Sequence, residues 1–290
     1  MNGMDHNFDT PPPGFSQKGY WSPQTSASNF CEIDYEYTHY IAELINTLSN
    51  LAYIWQGVIT LPKSLRGGGR EFQLWQWPVE NLALLLVGLG SAAFHATLLH
   101  EMQIIDESGM YALVGALDYR LWSSNMGEPT RLLFGMTLAT AISGVIGWNA
   151  VGTEDGKASN FVHLVLFIGL LTALWPKVLY MIRQGRDERK TQGQKGPDDT
   201  ARRLMYAFRM GVVFFFSGFA VWIVDGKFCD QLREVRHWLG PPGCWSLEFH
   251  GWWHFLTALG AGNFVRVVRE LTEAKTVPKK TAGNGHVKAS

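Results

Sequence analysis

Near the C-terminus, His250 and His254 stand four residues apart in the block His250-Gly251-Trp252-Trp253-His254, which opens an apolar run. On a helix that spacing puts both imidazoles on one face, within reach of one metal ion. A third imidazole is offered by Gly90-Ser91-Ala92-Ala93-Phe94-His95, and Asp106 follows eleven residues later. Three neutral imidazoles are the ligand set of an open catalytic zinc with a fourth position for water, whereas structural zinc sites close all four. Zinc brings the pKa of such a water to about 7, which makes hydrolysis accessible. Asp106 is the natural group to hold that water and shuttle its proton. Ser91 lies four residues before His95, on the same helix face, and could donate to a developing oxyanion. Singly, each residue has an ordinary explanation: an aromatic-belt histidine, a small residue at a helix contact, a helix cap. Their joint occurrence is harder to explain that way.

A second cluster precedes the first apolar run. Asn29, Glu32 and Asp34, with Glu43 further on, make an oxygen-rich set suited to a hard cation such as Ca²⁺. Glu32 and Asp34 alone could be a solvated acidic stretch, but Glu43 sits inside an apolar run and needs a partner there.

These groups must be positioned by apolar helices. With 47% hydrophobic and 17% charged residues, twelve tryptophans and 31 glycines, the composition leans toward a polytopic membrane protein. Residues 1–37 are polar and carry the Pro11-Pro12-Pro13 run. We expect them to form an exposed head, disordered at its start. Apolar runs recur at 38–61, 77–99, 104–123, 132–150, 161–182, 206–225 and 249–268, each about the 20 residues a bilayer core requires. The expected fold is therefore an all-α membrane protein, a seven-transmembrane helix bundle over 38–270, with a polar tail at 271–290. No cleaved leader is expected, and the first span would serve as the targeting signal.

Lys and Arg set the orientation. Lys63, Arg66, Arg70, Arg131, the basic stretch from Arg183 to Arg203 (including Lys195), and Lys275, Lys279 and Lys280 fall on one side of a seven-span bundle. The opposite side holds Lys18, Lys157, Lys227, Arg233 and Arg236. The N-terminus is thus expected to be luminal and the C-terminus cytosolic. Walked through that topology, His95, Asp106, His250 and His254 all reach the luminal level, although they were chosen by residue type alone. A helix running unbroken from His95 to Asp106 would separate them by about 16 Å, so a turn is expected near His100-Glu101. Cys31 and Cys229 also fall on the luminal side, where oxidation is possible; a disulfide is expected between them, with Cys244 free. His39, His100, His163 and His237 lack such company and are expected to be structural. No HExxH, glycine-rich phosphate loop or GxSxG occurs, which removes support for zincin, nucleotide-binding and serine-hydrolase chemistry.

Several blocks resemble the alkaline ceramidases, seven-span amide hydrolases of the endoplasmic reticulum and Golgi. They are Gly19-Tyr20-Trp21-Ser22-Pro23, Phe30-Cys31-Glu32, the stretch from Tyr40 to Asn50, Phe94-His95, Glu101-Met102-Gln103, Asp106-Glu107, Phe228-Cys229 and His250 to His254. The resemblance implies zinc on His95, His250 and His254, with Asp106 and Ser91 as catalytic partners. It implies calcium at Asn29, Phe30 (through its carbonyl), Glu32, Asp34 and Glu43, and it suggests the same cysteine pair. The family often has Asp where this chain has Asn29 and Asn where it has Asp34, a swap that preserves the carboxylate count. The basic segment from Arg183 to Arg203 looks like the fungal and plant branches, which points toward phytoceramide or dihydroceramide. The implied partners are a ceramide-type lipid and the bilayer, with no nucleic acid.

The rival class is a seven-span zinc-containing receptor of the progestin and adiponectin type, favoured by opposite orientation and by absence of the cluster from Asn29 to Glu43. A zinc transporter would need polar residues continuing through the membrane, and the fourth and fifth runs have almost none.

Overall fold

The computed structural model describes residues 18–66, 76–151, 157–191, 193 and 199–276. The head at 1–17 with its proline run, Arg70, Lys195, Lys279 and Lys280 lie outside the described residues, as do the side chains of Arg66, Lys157, His163 and Lys275.

Among the described residues the regular structure is entirely helical. The helices are α1 (Leu44–Ser49), α2 (Leu51–Ile59), α3 (Lys63–Arg66), α4 (Val79–Thr97), α5 (His100–Ser123), α6 (Glu128–Val151), α7 (Lys157–Thr191), α8 (Asp199–Lys227), α9 (Cys229–Leu239) and α10 (Phe249–Thr276). Each expected apolar run contains helix; the first is non-helical through Glu43 and then forms α1 and α2, joined at Asn50. Among the described residues, four helical stretches meet the length and apolar composition needed to cross a membrane: Val79–Thr97, Glu128–Val151, Val165–Thr191 and Asp199–Lys227. The runs that fall short, α1/α2, α5 and α10, hold Glu43, Asp106 and the His250/His254 pair. The first run falls short because its two helices are only six and nine residues long, whereas α4 meets the requirement while holding Ser91 and His95.

Helix α7 runs to Thr191 and α8 starts at Asp199, so much of the charged stretch expected as loop is helical. Its Arg, Glu, Lys and Gln are good helix formers, and Gln184 Nε2 donates to Glu188 one turn on at 3.0 Å.

The turn between α4 and α5 falls at Leu98-Leu99, slightly before the expected place. Leu98 is left-handed (φ 51°) and Leu99 extended. The N-terminal segment secures this turn, since the amides of Thr25 and Ser26 both donate to the Leu98 carbonyl, at 3.2 and 3.1 Å. Below the turn α4 and α5 are in close contact. A Cβ on Gly109 would stand 2.9 Å from the Val87 backbone, and one on Gly90 would stand 3.1 Å from Ile105. This antiparallel register brings Ser91 opposite Asp106. Gly109→Val should therefore force the helices apart. We expect a loss of about 1–3 kcal/mol, seen as a lower thermal midpoint in detergent, with a weakened Ser91–Asp106 contact.

At the end of the bundle away from that turn, α2, α4, α5 and α10 meet on a charged network. Arg269 donates to Glu80 Oε1 through Nε (3.1 Å) and Nη2 (2.9 Å), to Asn81 Oδ1 (2.5 Å) and to the Thr60 carbonyl. Arg120 reaches the same Glu80 oxygen at 2.9 Å. Buried charge of this kind persists only when paired.

Candidate metal centre and lipid pocket

His95 on α4 and His250 and His254 on α10 are each at most 4% exposed, and their ligating atoms lie within 4.8 Å of one another. The group could hold a metal ion, with a donor set compatible with zinc. Among the described residues it is the His/Cys/Asp/Glu group gathered this way.

Two rings are oriented by neighbours. His95 Nδ1 lies 2.5 Å from Glu43 Oε2, and the Glu43 amide donates to the His95 carbonyl at 3.0 Å. Ser49 Oγ donates to the Asn46 carbonyl at 2.7 Å, so at 2.8 Å from His254 Nδ1 it accepts the imidazole proton. In both rings Nδ1 is engaged by a neighbour, the usual outer support of a metal-bound histidine. His250 Nδ1 is buried without a hydrogen-bond partner. Phe30 stacks on the His250 ring at 3.7 Å between centroids.

Ser91 is buried and hydrogen-bonds to Asp106. Burial and the neighbouring Glu107 act together on the Asp106 carboxyl, with Ser91 as its hydroxyl partner. Below this pair lies a pocket walled by Val87, Leu113, Leu117, Leu174, Phe215 and Phe264 among others.

The oxygen-rich cluster is assembled beside the histidines. Glu32 accepts from the amides of Ile45 and Asn46 at 2.7 and 2.8 Å. It satisfies the first free N–H groups of α1. Glu43 accepts from the Phe30 amide and from Asn46 Nδ2, each at 3.2 Å, besides meeting His95. Asn29 donates to Asp34 Oδ2 at 3.2 Å, while Asp34 Oδ1 is buried with no partner. Burial, then the Glu43 and Glu248 charges, hold the Glu32 carboxyl well above the usual range. Burial also raises Asp34, against the pull of Asn29 and Arg233. The cluster is thus crowded with carboxylates, two of them already committed to helix and histidine.

Cys31 and Cys229 are bonded, with Cα atoms 5.3 Å apart, and Cys244 is free and buried. Arg233 and Arg236 donate to the Cys31 carbonyl at 3.0 and 3.2 Å, and Arg236 also pairs with buried Glu248 at 2.6 Å. Together these contacts hold Phe30 and Glu32 against α10. His39 and His237 are exposed and His100 is half-buried, none of them near the trio by ligand geometry. The supports Ser49, Asn46, Arg236 and Glu248 were not singled out from sequence. Ser49 and Asn46 lie within the Tyr40–Asn50 resemblance block, but only the fold shows that they face α10.

The sequence model of the ceramidase family matches residues 22–284, so the chain belongs to that family. Alkaline ceramidase 3 of Mus musculus is 28% identical over 262 residues, covering 86% of this chain and 85% of its own length. Alkaline ceramidase YPC1 of Saccharomyces cerevisiae is 28% identical over 275 residues, covering 86% and 77%. An Arabidopsis thaliana alkaline ceramidase is 35% identical over 104 residues, 36% of this chain and 39% of its own. Family membership does not favour the receptor alternative.

Proposed function

We propose that this chain is a zinc-dependent intramembrane hydrolase that cleaves the amide of a ceramide to a sphingoid base and a free fatty acid. The observation that carries this reading is the convergence of three buried imidazoles above an apolar pocket. Zinc on His95, His250 and His254 would supply Lewis acidity and an activated water. Asp106 takes the proton of the attacking water and returns it to the amine nitrogen as the C–N bond breaks. Ser91 donates to the carbonyl oxygen as that oxygen gains charge. The pocket walls take up the hydrocarbon and keep bulk water away. Phytoceramide and dihydroceramide are the favoured forms, on the likeness of the basic 183–203 segment to fungal and plant sequences.

The bundle is read as seven spans over 38–270, with 1–37 luminal and 271–290 cytosolic, in the endoplasmic reticulum or Golgi membrane. Support comes from the Lys and Arg distribution and from the helix within every expected run. The deciding experiment is product analysis of purified protein with ceramide, dihydroceramide and phytoceramide, before and after zinc removal. Sphingoid base released only by the zinc-loaded protein is the expected result; no release from any of them refutes the reading.

Calcium is proposed at Asn29, the Phe30 carbonyl, Glu32, Asp34 and Glu43. The orphaned Asp34 oxygen and the crowding of carboxylates fit a hard cation. Calcium at a hundredfold its dissociation constant should stabilise the protein by about 2.7 kcal/mol. A strong calcium chelator should lower the thermal midpoint accordingly, and Asp34→Ala should remove the response. An unchanged midpoint would count against the site.

A further inference from the structure

The apolar pocket carries one pair of hydroxyls in its wall. Tyr53 Oη on α2 and Thr257 Oγ1 on α10 face each other at 2.6 Å, and the two residues are 7% and 6% exposed. The helix sets the direction of this bond. Thr257 Oγ1 donates to the Trp253 carbonyl four residues back at 2.5 Å. A hydroxyl has one proton, so Thr257 must accept from Tyr53. The Tyr53 proton is thereby used, while its oxygen keeps a lone pair. The pair therefore offers the pocket an acceptor.

Its position matters as much as its polarity. Tyr53 follows Ser49, the support of His254, by one helical turn, and Thr257 follows His254 by three residues. Val87, one turn before Ser91, and Met110, one turn after Asp106, line the same pocket as Tyr53 and Thr257. The acceptor thus stands where the reacting amide gives way to the hydrocarbon walls. A fatty acyl chain has no donor to offer there. A sphingoid chain does, in the hydroxyl next to its amide-bearing carbon.

From this geometry we infer that Tyr53, held by Thr257, is a specificity-determining residue that accepts a hydrogen bond from this sphingoid-chain hydroxyl and so favours hydroxylated backbones over deoxy ones. The inference rests on the amide-hydrolase reading of the site. Without the hydroxyl, the buried Tyr53 oxygen faces hydrocarbon, and the discrimination is about tenfold, the worth of one net hydrogen bond.

The test compares kcat/KM for a ceramide and its 3-deoxy counterpart of equal acyl length, with bound metal measured in every variant. Wild type should favour the hydroxylated substrate about tenfold. Tyr53→Phe should bring the ratio close to one with metal content unchanged. Thr257→Val should lower the ratio, and Thr257→Ser should preserve it. Equal turnover of both substrates by wild type overturns the inference. So does a Tyr53→Phe protein that loses activity on both in the same proportion, as a packing defect or recognition of the amide N–H would give. Wild-type protein that hydrolyses neither substrate overturns the amide-hydrolase reading itself, a failure distinct from an unchanged ratio.

Discussion

His254→Ala should yield protein that purifies without bound zinc and hydrolyses ceramide at least about a thousandfold more slowly than wild type, since the lost Lewis acid is worth several kcal/mol. His254 belongs to a group of three, so its loss leaves two imidazoles for a metal that holds three protein ligands in open sites. Its removal also frees Ser49, whose oxygen accepts from His254 Nδ1. The graded control is Ser49→Ala, which keeps the ligand but loses the group that fixes its ring. A fall of about 10–100-fold in zinc affinity is expected there, with turnover recovering as zinc is raised. Elemental analysis beside a zinc titration of activity separates the two. Full zinc content in His254→Ala would remove that residue from the ligand set.

The difference between His254 and Ser49 also marks how far the sequence could be read. A histidine pair at helical spacing, a third histidine and an aspartate on separate runs announce themselves because charged and ligating groups are costly in apolar surroundings. The helical runs were legible for the same reason, as lengths of hydrocarbon. What depends on which helix face meets which was not. Glu43 was recognised as needing a partner, but its contact with His95 across 52 residues is set by the Glu43 amide bonding to the His95 carbonyl. Glu80 and Arg269 stand 189 residues apart in the sequence. Only the meeting of α4 with α10 shows them as one buried ion pair. Ser49 is an unremarkable hydroxyl in a helix until α10 is laid beside it.

Asp106→Asn should leave the metal in place and lower kcat by about 10²–10⁴, the contribution of a positioned acid–base group. The substitution preserves shape and the hydrogen bond with Ser91, so folding and binding change little. It removes the ability to take a proton from water and deliver it to nitrogen, and both transfers are needed if the amine is to leave. Ser91→Ala should cost less than Asp106→Asn, because one oxyanion donor is lost while proton transfer survives. The contact between the two residues makes their effects non-additive. The double variant should therefore be little slower than Asp106→Asn alone. Single-turnover rates with zinc content measured in the same preparation check this. Near-normal kcat in Asp106→Asn would refute its proton role, and strict multiplication of the two losses would mean that Ser91 and Asp106 act independently despite their contact.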